Sequence, residues 1–354
     1  MNSRERVLRA TMFKETDRVP LDISGREKDL AKHFNVGSVN EVYEILGIDL
    51  RSISTSSYID KRGRQRQHKG HDANIWGVPY VCANNGYQHL CPLYEVGSVD
   101  EVEAYEFPVA ENIIYHDIEA QVNENNGYFL NAFVWAPIFH DFTWLCGFEN
   151  CLALLMVEPE IAKAVLRRIT DFWIDYTKIV LERGGGKIDC VLNCNDFGTQ
   201  RNLIMSPDVW RGFFKPELKR FYDCIKRYNA KVMQHSCGSI NEIIPDLIEI
   251  GADILDPIQV AANGMDTTSL ATIYGGKIAF HGGIDTQFIL TGGTEAEVRS
   301  EVRRVINTLG SKSGYILSGS QAYMDDIPLQ NILAVYDEAK KNNQRVMWAA
   351  FYSP

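Results

Sequence analysis

No G-x-G-x-x-G, no G-x-x-x-x-G-K-[ST] and no G-x-S-x-G occurs in this chain of 354 residues. Those gaps disfavour a dinucleotide fold, a P-loop nucleotide enzyme and a nucleophile-elbow hydrolase. No segment reaches the ~18 uninterrupted apolar residues that span a bilayer. The start, Met1-Asn2-Ser3-Arg4-Glu5-Arg6-Val7, lacks the apolar stretch of a signal peptide, so a cytoplasmic protein is expected. The eight Cys form no C-x-x-C pair, and in a reducing compartment they read as core residues or ligands rather than disulfides. Basic blocks are scarce too. Lys plus Arg is 36 against 46 for Asp plus Glu, a net charge of −10. The densest basic run, Lys61-Arg62-Gly63-Arg64-Gln65-Arg66, reads as a solvated loop or an anion contact. Nucleic acid and anionic membrane are therefore excluded as main partners.

What is present is ordinary globular composition, 45% hydrophobic and 23% charged. Short apolar runs alternate with long helical patterns. Strands are expected near residues 18–23, 52–56, 128–134, 188–193, 231–235, 254–257, 277–281 and 314–318. Helices are expected at 159–183, 207–228, 240–250 and 295–308. Ser206-Pro207 reads as a cap with Pro in the first turn, Gly184-Gly185-Gly186 as a helix stop, and Gly251 as a C-terminal glycine. Alternating strands and helices imply βα units and a parallel sheet. Eight of them predict an α/β chain folded as a (β/α)8 TIM barrel. Trp76-Gly77-Val78-Pro79-Tyr80 and Asn84-Asn85-Gly86-Tyr87 look like strands and a turn of a small antiparallel insertion at about 60–100. With no linker and no repeat, the chain reads as one decorated barrel domain.

In such a barrel the chemistry sits at the C-terminal strand ends. Gln234-His235-Ser236-Cys237-Gly238 stands where the apolar run Ala230-Lys231-Val232-Met233 stops. Residues two apart on a strand share a face, and imidazole and thiolate both bind zinc. His235 and Cys237 are therefore candidate metal ligands; the plainer alternative is a buried Cys and a hydrogen-bonded His. The other strand ends offer Asp22, Ser24 and Arg26; Asn131, Phe133, Trp135 and His140; and Asn193, Asn195 and Asp196. They continue with Asp256 and Gln259; His281 and Asp285; and Ser318, Ser320 and Gln321. Asp196, Asp22 and His281 are the candidate acids or bases. Arg26, Asn193 and Gln259 are candidate substrate contacts. The aromatic run Phe133, Trp135, Phe139, Phe142, Trp144 and Phe148 divides between core and pocket, with Trp135, Phe139 and Trp144 the candidate lining of an apolar pocket for a flat ligand.

These motifs resemble one family. Arg4-Glu5-Arg6-Val7 leading to Asp17-Arg18-Val19-Pro20, then Trp76-Gly77-Val78 and Gly147-Phe148-Glu149-Asn150, are similar to uroporphyrinogen decarboxylase-like proteins. So are Asn195-Asp196-Phe197-Gly198-Thr199-Gln200, His235-Ser236-Cys237-Gly238-Ser239 and Asp253-Ile254-Leu255-Asp256-Pro257-Ile258-Gln259. His281-Gly282-Gly283-Ile284-Asp285-Thr286-Gln287, Asp326-Ile327-Pro328 and Asn331-Ile332-Leu333-Ala334 complete the set, which spans nearly the whole chain. The resemblance implies a (β/α)8 barrel, usually a homodimer, with its site in the barrel mouth. True decarboxylases carry an Arg-rich signature, Met-Arg-Gln-Ala-Gly-Arg, that grips carboxylates. Here the matching stretch is Leu21-Asp22-Ile23-Ser24-Gly25-Arg26-Glu27, with one Arg. The cobalamin-dependent methyltransferase branch binds zinc through His-x-Cys and a later Cys. His235 and Cys237 match the first two positions, and the third falls at Gln321, a poor zinc ligand. Asp196, His281 or another carboxylate would then complete the set. The resemblance thus implies methyl transfer between a small methylated substrate, with a methoxylated aromatic as one case, and a partner corrinoid protein carrying the cobalamin. A decarboxylase or lyase of a small carboxylated ring, and a non-catalytic corrinoid- or tetrapyrrole-binding protein, are the alternatives.

Overall fold

The fold is described from a computed structural model, in which residues 1–62, 66–83, 85–312 and 314–351 are described. The strands are β1 (Leu50–Ser54), β2 (Ser56–Asp60), β3 (Arg66–His68), β4 (His71–Ala73) and β5 (Ile113–Tyr115). They continue with β6 (Phe129–Trp135), β7 (Cys190–Cys194), β8 (Lys231–His235), β9 (Ile254–Ile258), β10 (Ala279–Ile284) and β11 (Tyr315–Gly319). Seven of them form one parallel sheet in the order β1-β6-β7-β8-β9-β10-β11. Strands β7, β9, β10 and β11 are buried along their whole length, because helices cover one side and the barrel interior fills the other.

The strand expected at 18–23 shrinks to a single bridge, Leu21 to Leu317. Pro20 has no N–H to give a ladder, which limits pairing here. The segment still closes the ring. Asp22 N–H donates to Leu317 O at 2.9 Å, Leu317 N–H to Pro20 O at 2.9 Å, and Asp49 N–H to Leu21 O at 2.8 Å. Leu21 thus serves as the eighth stave, joining β11 to the end of the chain that enters β1.

The helices follow local chemistry. Pro159 opens the 25-residue helix Pro159–Arg183 in its first turn. Ser206 caps Pro207–Lys226 by accepting from Val209 N–H, and Thr294 with Glu297 forms a capping box on Glu295–Leu309. The helix expected at 240–250 divides into a 3-10 turn, Asn241–Ile243, and Ile244–Ile250.

The antiparallel decoration is real but differently placed. β3 pairs with β4, and β2 with β5. The stretch at 76–80 is not a strand: Asn74 Oδ1 accepts from the N–H groups of Trp76 and Val78, at 3.0 and 3.1 Å, and the chain turns into a 3-10 helix at Tyr80–Ala83. Asn84 of the expected turn, and Gly63, Arg64 and Gln65 of the basic run, lie outside the described residues. Among the described residues no helix is long and apolar enough to cross a membrane.

Candidate active site in the barrel mouth

Register decides which side chains meet. Cys194 pairs with His235 across β7 and β8, and His235 with Asp256 across β8 and β9. A thiol, an imidazole and a carboxylate therefore stand side by side on three adjacent strands. His235 Nδ1 lies 2.6 Å from Asp256 Oδ2, and its Nε2 lies 3.4 Å from Cys237 Sγ and 3.7 Å from Asp196 Oδ1. Ligand atoms of Cys194, Asp196 and His235 all lie within 4.8 Å of one another.

Two loops place Asp196 and Cys237. Cys237 N–H donates to Asp196 Oδ1 at 2.8 Å. Their approach needs Gly198 and Gly238. A Cβ on Gly238, whose φ is +82°, would meet the Gly198 backbone at 2.5 Å, and one on Gly198 would meet Cys237 O at 2.7 Å.

A second chain of contacts runs through Asp256. Its Oδ1 lies 2.5 Å from His281 Nδ1, and His281 Nε2 lies 2.9 Å from Asp22 Oδ2. Burial alone would push both imidazoles down. Asp256 reverses that for His235, which is raised well above the usual histidine range; Asp256 and Asp22 lift His281 to about 10. Asp256 is itself held low: burial opposes ionisation, but the two imidazoles outweigh it. At Asp196 burial is likewise outweighed, by contacts with His140, the Cys237 N–H and His235, and the carboxyl falls to about 2. Burial pushes the Cys194 thiol up.

These groups open onto a cavity of about 490 Å³, lined among others by Asp22, Glu27, Tyr43, Asn131, Phe133, Trp135, Cys194, Asp196, His235, Cys237, Asp256, His281 and Gln321. Trp135 has φ of +68°, a strained value at a strand end. Its indole stacks on Phe133 at 5.0 Å and sits 6.3 Å from the His235 ring.

Among the residues expected from sequence, Asp22, Asp196, His281, Trp135, His235, Cys237 and Gln321 come together here. Five do not line the cavity. Arg26 is turned to Asp29 and to the carbonyls of Met324 and Ile327, at 2.7, 3.1 and 3.0 Å, where it fixes the loop after β11. Phe139 is 2% exposed and packs on Phe197 and Phe214. Trp144 is outside the cavity lining, 38% exposed, with its ring 6.2 Å from His140. Asn193 points away from the mouth and donates to Met233 O at 3.2 Å. Gln259 accepts from Gly238 N–H at 2.7 Å and braces the loop from behind. Gln321 is near the donor set but directs its amide Nε2 at Cys237 Sγ, 2.8 Å away; it holds the sulfur and presents no lone pair to a metal. The residue missed was Cys194. Strand β7, Cys-Val-Leu-Asn-Cys, is buried on both faces, so no polar alternation marks which side faces in.

Comparison with known proteins agrees with this architecture. Residues 94–342 match the family described as Uroporphyrinogen decarboxylase (URO-D), so the chain belongs to that family. Two curated relatives, the uroporphyrinogen decarboxylases of two strains of Thermus thermophilus, are each 25% identical over 193 residues. The match covers 54% of this chain and 51% of each relative, so it spans about half the length of the curated relatives. A methyltransferase from Methanosarcina mazei superposes with a TM-score of 0.64 at 15% identity, over 96% of this chain and 99% of that one. At that identity the likeness is one of fold.

Proposed function

We propose that this chain moves a methyl group between a small substrate and a corrinoid carried by a partner protein, with zinc held in the barrel mouth. The observation that carries the reading is the soft donor set. Cys194, Asp196, His235 and Cys237 offer sulfur, oxygen and nitrogen, the mixture zinc takes. The fit extends behind the ligands. Asp256 engages His235 Nδ1 and so turns Nε2 into the cavity, the carboxylate–histidine pairing that orients metal-bound imidazoles. The 3.4 Å between Cys237 Sγ and His235 Nε2 is near the edge of ~3.6 Å that tetrahedral zinc bond lengths give. A zinc there supplies Lewis acidity to the heteroatom that gives or takes the methyl group.

The remaining work falls to the chain itself. For methylation of a thiol, a partner's corrinoid would supply the methyl group, and the substrate sulfur would need a free lone pair to receive it. The thiol proton leaves beforehand, and Asp22, a cavity carboxylate outside the donor set, stands to take it. In the opposite direction an oxygen or nitrogen leaving group needs a proton. His281, held charged between Asp256 and Asp22, supplies it through Asp22, which faces the cavity. The stacked Phe133 and Trp135 give this volume an apolar wall.

A decarboxylase for a polycarboxylated ring is less well served. Among the described residues no Lys or Arg lines the cavity, so several substrate carboxylates would have only the imidazoles of His235 and His281 to set against four wall carboxylates. The test offers methylcobalamin with thiols, and cob(I)alamin with methoxyarenes, methylamines and methylthiols, and follows the corrin absorbance. Transfer with one class is the expected result. No transfer, with carbon dioxide released from a carboxylated ring in the absence of cobalt, would overturn it.

A further inference from the structure

The cavity walls carry a strong bias of charge and hydrogen-bonding sense. Among the described residues four carboxylates line it, those of Asp22, Glu27, Asp196 and Asp256, against the imidazoles of His235 and His281 and no Lys or Arg. It stays negative even with both imidazoles charged, and a divalent metal held by two thiolates adds no net charge. Arg51 offsets part of it at Asp22 but does not line the cavity. That guanidinium is buried behind Tyr43 and Tyr128, 4.8 and 3.7 Å from their ring centres, and donates to the carbonyls of Ile48 and Leu50.

A second observation is independent of charge. Asn131 lines the cavity, is 9% exposed, and leaves its Oδ1 with no hydrogen-bond partner. Its Nδ2 faces the Met233 thioether at 3.6 Å. A thioether only accepts, so the carbonyl end of the amide is the free end. A buried acceptor without a partner is costly, and an occupant of the cavity that brings a donor would relieve that cost once the amide turns towards it.

The aromatic groups complete the picture. Tyr43, Phe133 and Trp135 line the same volume. Burial, and then the charges of Glu27 and Asp22, push the Tyr43 phenol up, and all three side chains line the cavity. Carboxylates combined with aromatic faces are the surroundings in which organic cations are held. The stave order sets the Leu21 segment, which leads to Asp22 and Glu27, four places from β8 and so across the barrel from His235.

We propose that Asp22, Glu27, Tyr43, Asn131, Phe133 and Trp135 form a subsite for a primary or secondary ammonium group, so that the methyl-carrying substrate is a small cation with its reacting heteroatom at the Cys194–His235 end. The inference rests on the methyl-transfer reading and narrows its substrate. A sulfonate or carboxylate in that place would face the carboxylates of Asp22 and Glu27 with no Lys or Arg among the described lining residues to balance it. A quaternary ammonium would leave Asn131 Oδ1 unmet.

The experiment uses methylcobalamin with three thiol series of matched chain length, bearing a terminal ammonium, hydroxyl or sulfonate. The expected order of kcat/KM is ammonium, hydroxyl, sulfonate, with about 10-fold between the first two. In Glu27→Gln and in Asn131→Leu that ratio should fall towards one, with circular dichroism confirming the fold. A preference for sulfonate, or a ratio unchanged in both variants, overturns the subsite and leaves methyl transfer standing. Binding of ethylammonium, followed by tryptophan fluorescence, separates the two ideas when no thiol is methylated. Ethylammonium binding that weakens in Glu27→Gln upholds the subsite and removes the methyl-transfer reading. No ethylammonium binding removes the subsite.

Discussion

The two ends of the barrel use buried aspartates in opposite ways. At the N-terminal end Asp49, Asp189 and Asp253 each precede a strand, and each accepts the main-chain N–H of a neighbouring segment: Leu21 at 2.9 Å, Leu130 at 3.0 Å and Val232 at 2.7 Å. Each also meets a permanent cation. Asp49 binds Arg6 and Arg18, both at 2.6 Å; Asp189 binds Arg4 at 2.8 Å; Asp253 binds Lys226. Every carboxylate there is matched, and nothing is left to react. At the mouth Asp22, Asp196 and Asp256 meet imidazoles, and their surroundings include thiols and an open cavity. A guanidinium neutralises a carboxylate at any accessible pH, whereas an imidazole can pass a proton or bind a metal. The first arrangement holds the barrel shut; the second keeps its chemistry available.

The sharpest way to break this comparison is to delete one partner at each end. Asp49→Ala leaves the largely buried Arg18 without a carboxylate and Arg6 with Asp17 alone, and should cost about 3–5 kcal/mol in denaturant unfolding, with turnover per folded molecule retained. His235→Ala should cut turnover by ~100-fold or more, with a smaller shift in the unfolding midpoint. Equal destabilisation by both would mean that the mouth cluster is structural too.

A pH series sharpens the contrast further. His281 is raised from its usual value to about 10, so the stability it contributes is fully present below its unfolded pKa near ~6.5 and is lost as pH rises towards 10. Asp17 and Asp196 are both depressed to about 2, so their contribution is present above ~4 and is lost as pH falls towards 2. Both ends therefore weaken in acid, but only the mouth weakens in mild alkali. His281→Gln should flatten the alkaline limb of Tm against pH and spare the acid limb. An unchanged alkaline limb would show that His281 is not held charged. The smallest effect belongs to Trp144, outside the cavity. Trp144→Ala should change kcat/KM by about 2-fold or less, and a larger loss would place the substrate outside the cavity.

Much of this was legible in the residues. The i, i+2 pair His235 and Cys237 after an apolar run does become two neighbouring side chains, although β8 ends at His235 and the loop that follows, held by Asp196, places Cys237. The helix at Pro159–Arg183 keeps the bounds its terminal signals mark. Three things were hidden. Strand β7 is buried on both faces, so Cys194, which faces in, could not be told from Asn193, which faces out; a one-residue error in parity exchanges them. Asp256 appears in sequence as one more strand-end acid, and only the register across β8, β9 and β10 shows it holding two imidazoles. Arg26 sits in the expected loop, but its φ of +64° and its bonds to Asp29 and the 324–327 carbonyls turn it from the mouth.

The central claim, that the mouth binds a soft metal through a thiol on β7 as well as the His-x-Cys on β8, is tested most directly by metal content per chain in the native protein and in Cys194→Ser. The account predicts about one zinc per chain in the first and a large loss in the second, since removing one thiolate should empty a site of this kind. Zinc retained at full occupancy in Cys194→Ser, or no metal in native protein that still transfers methyl groups, would contradict it.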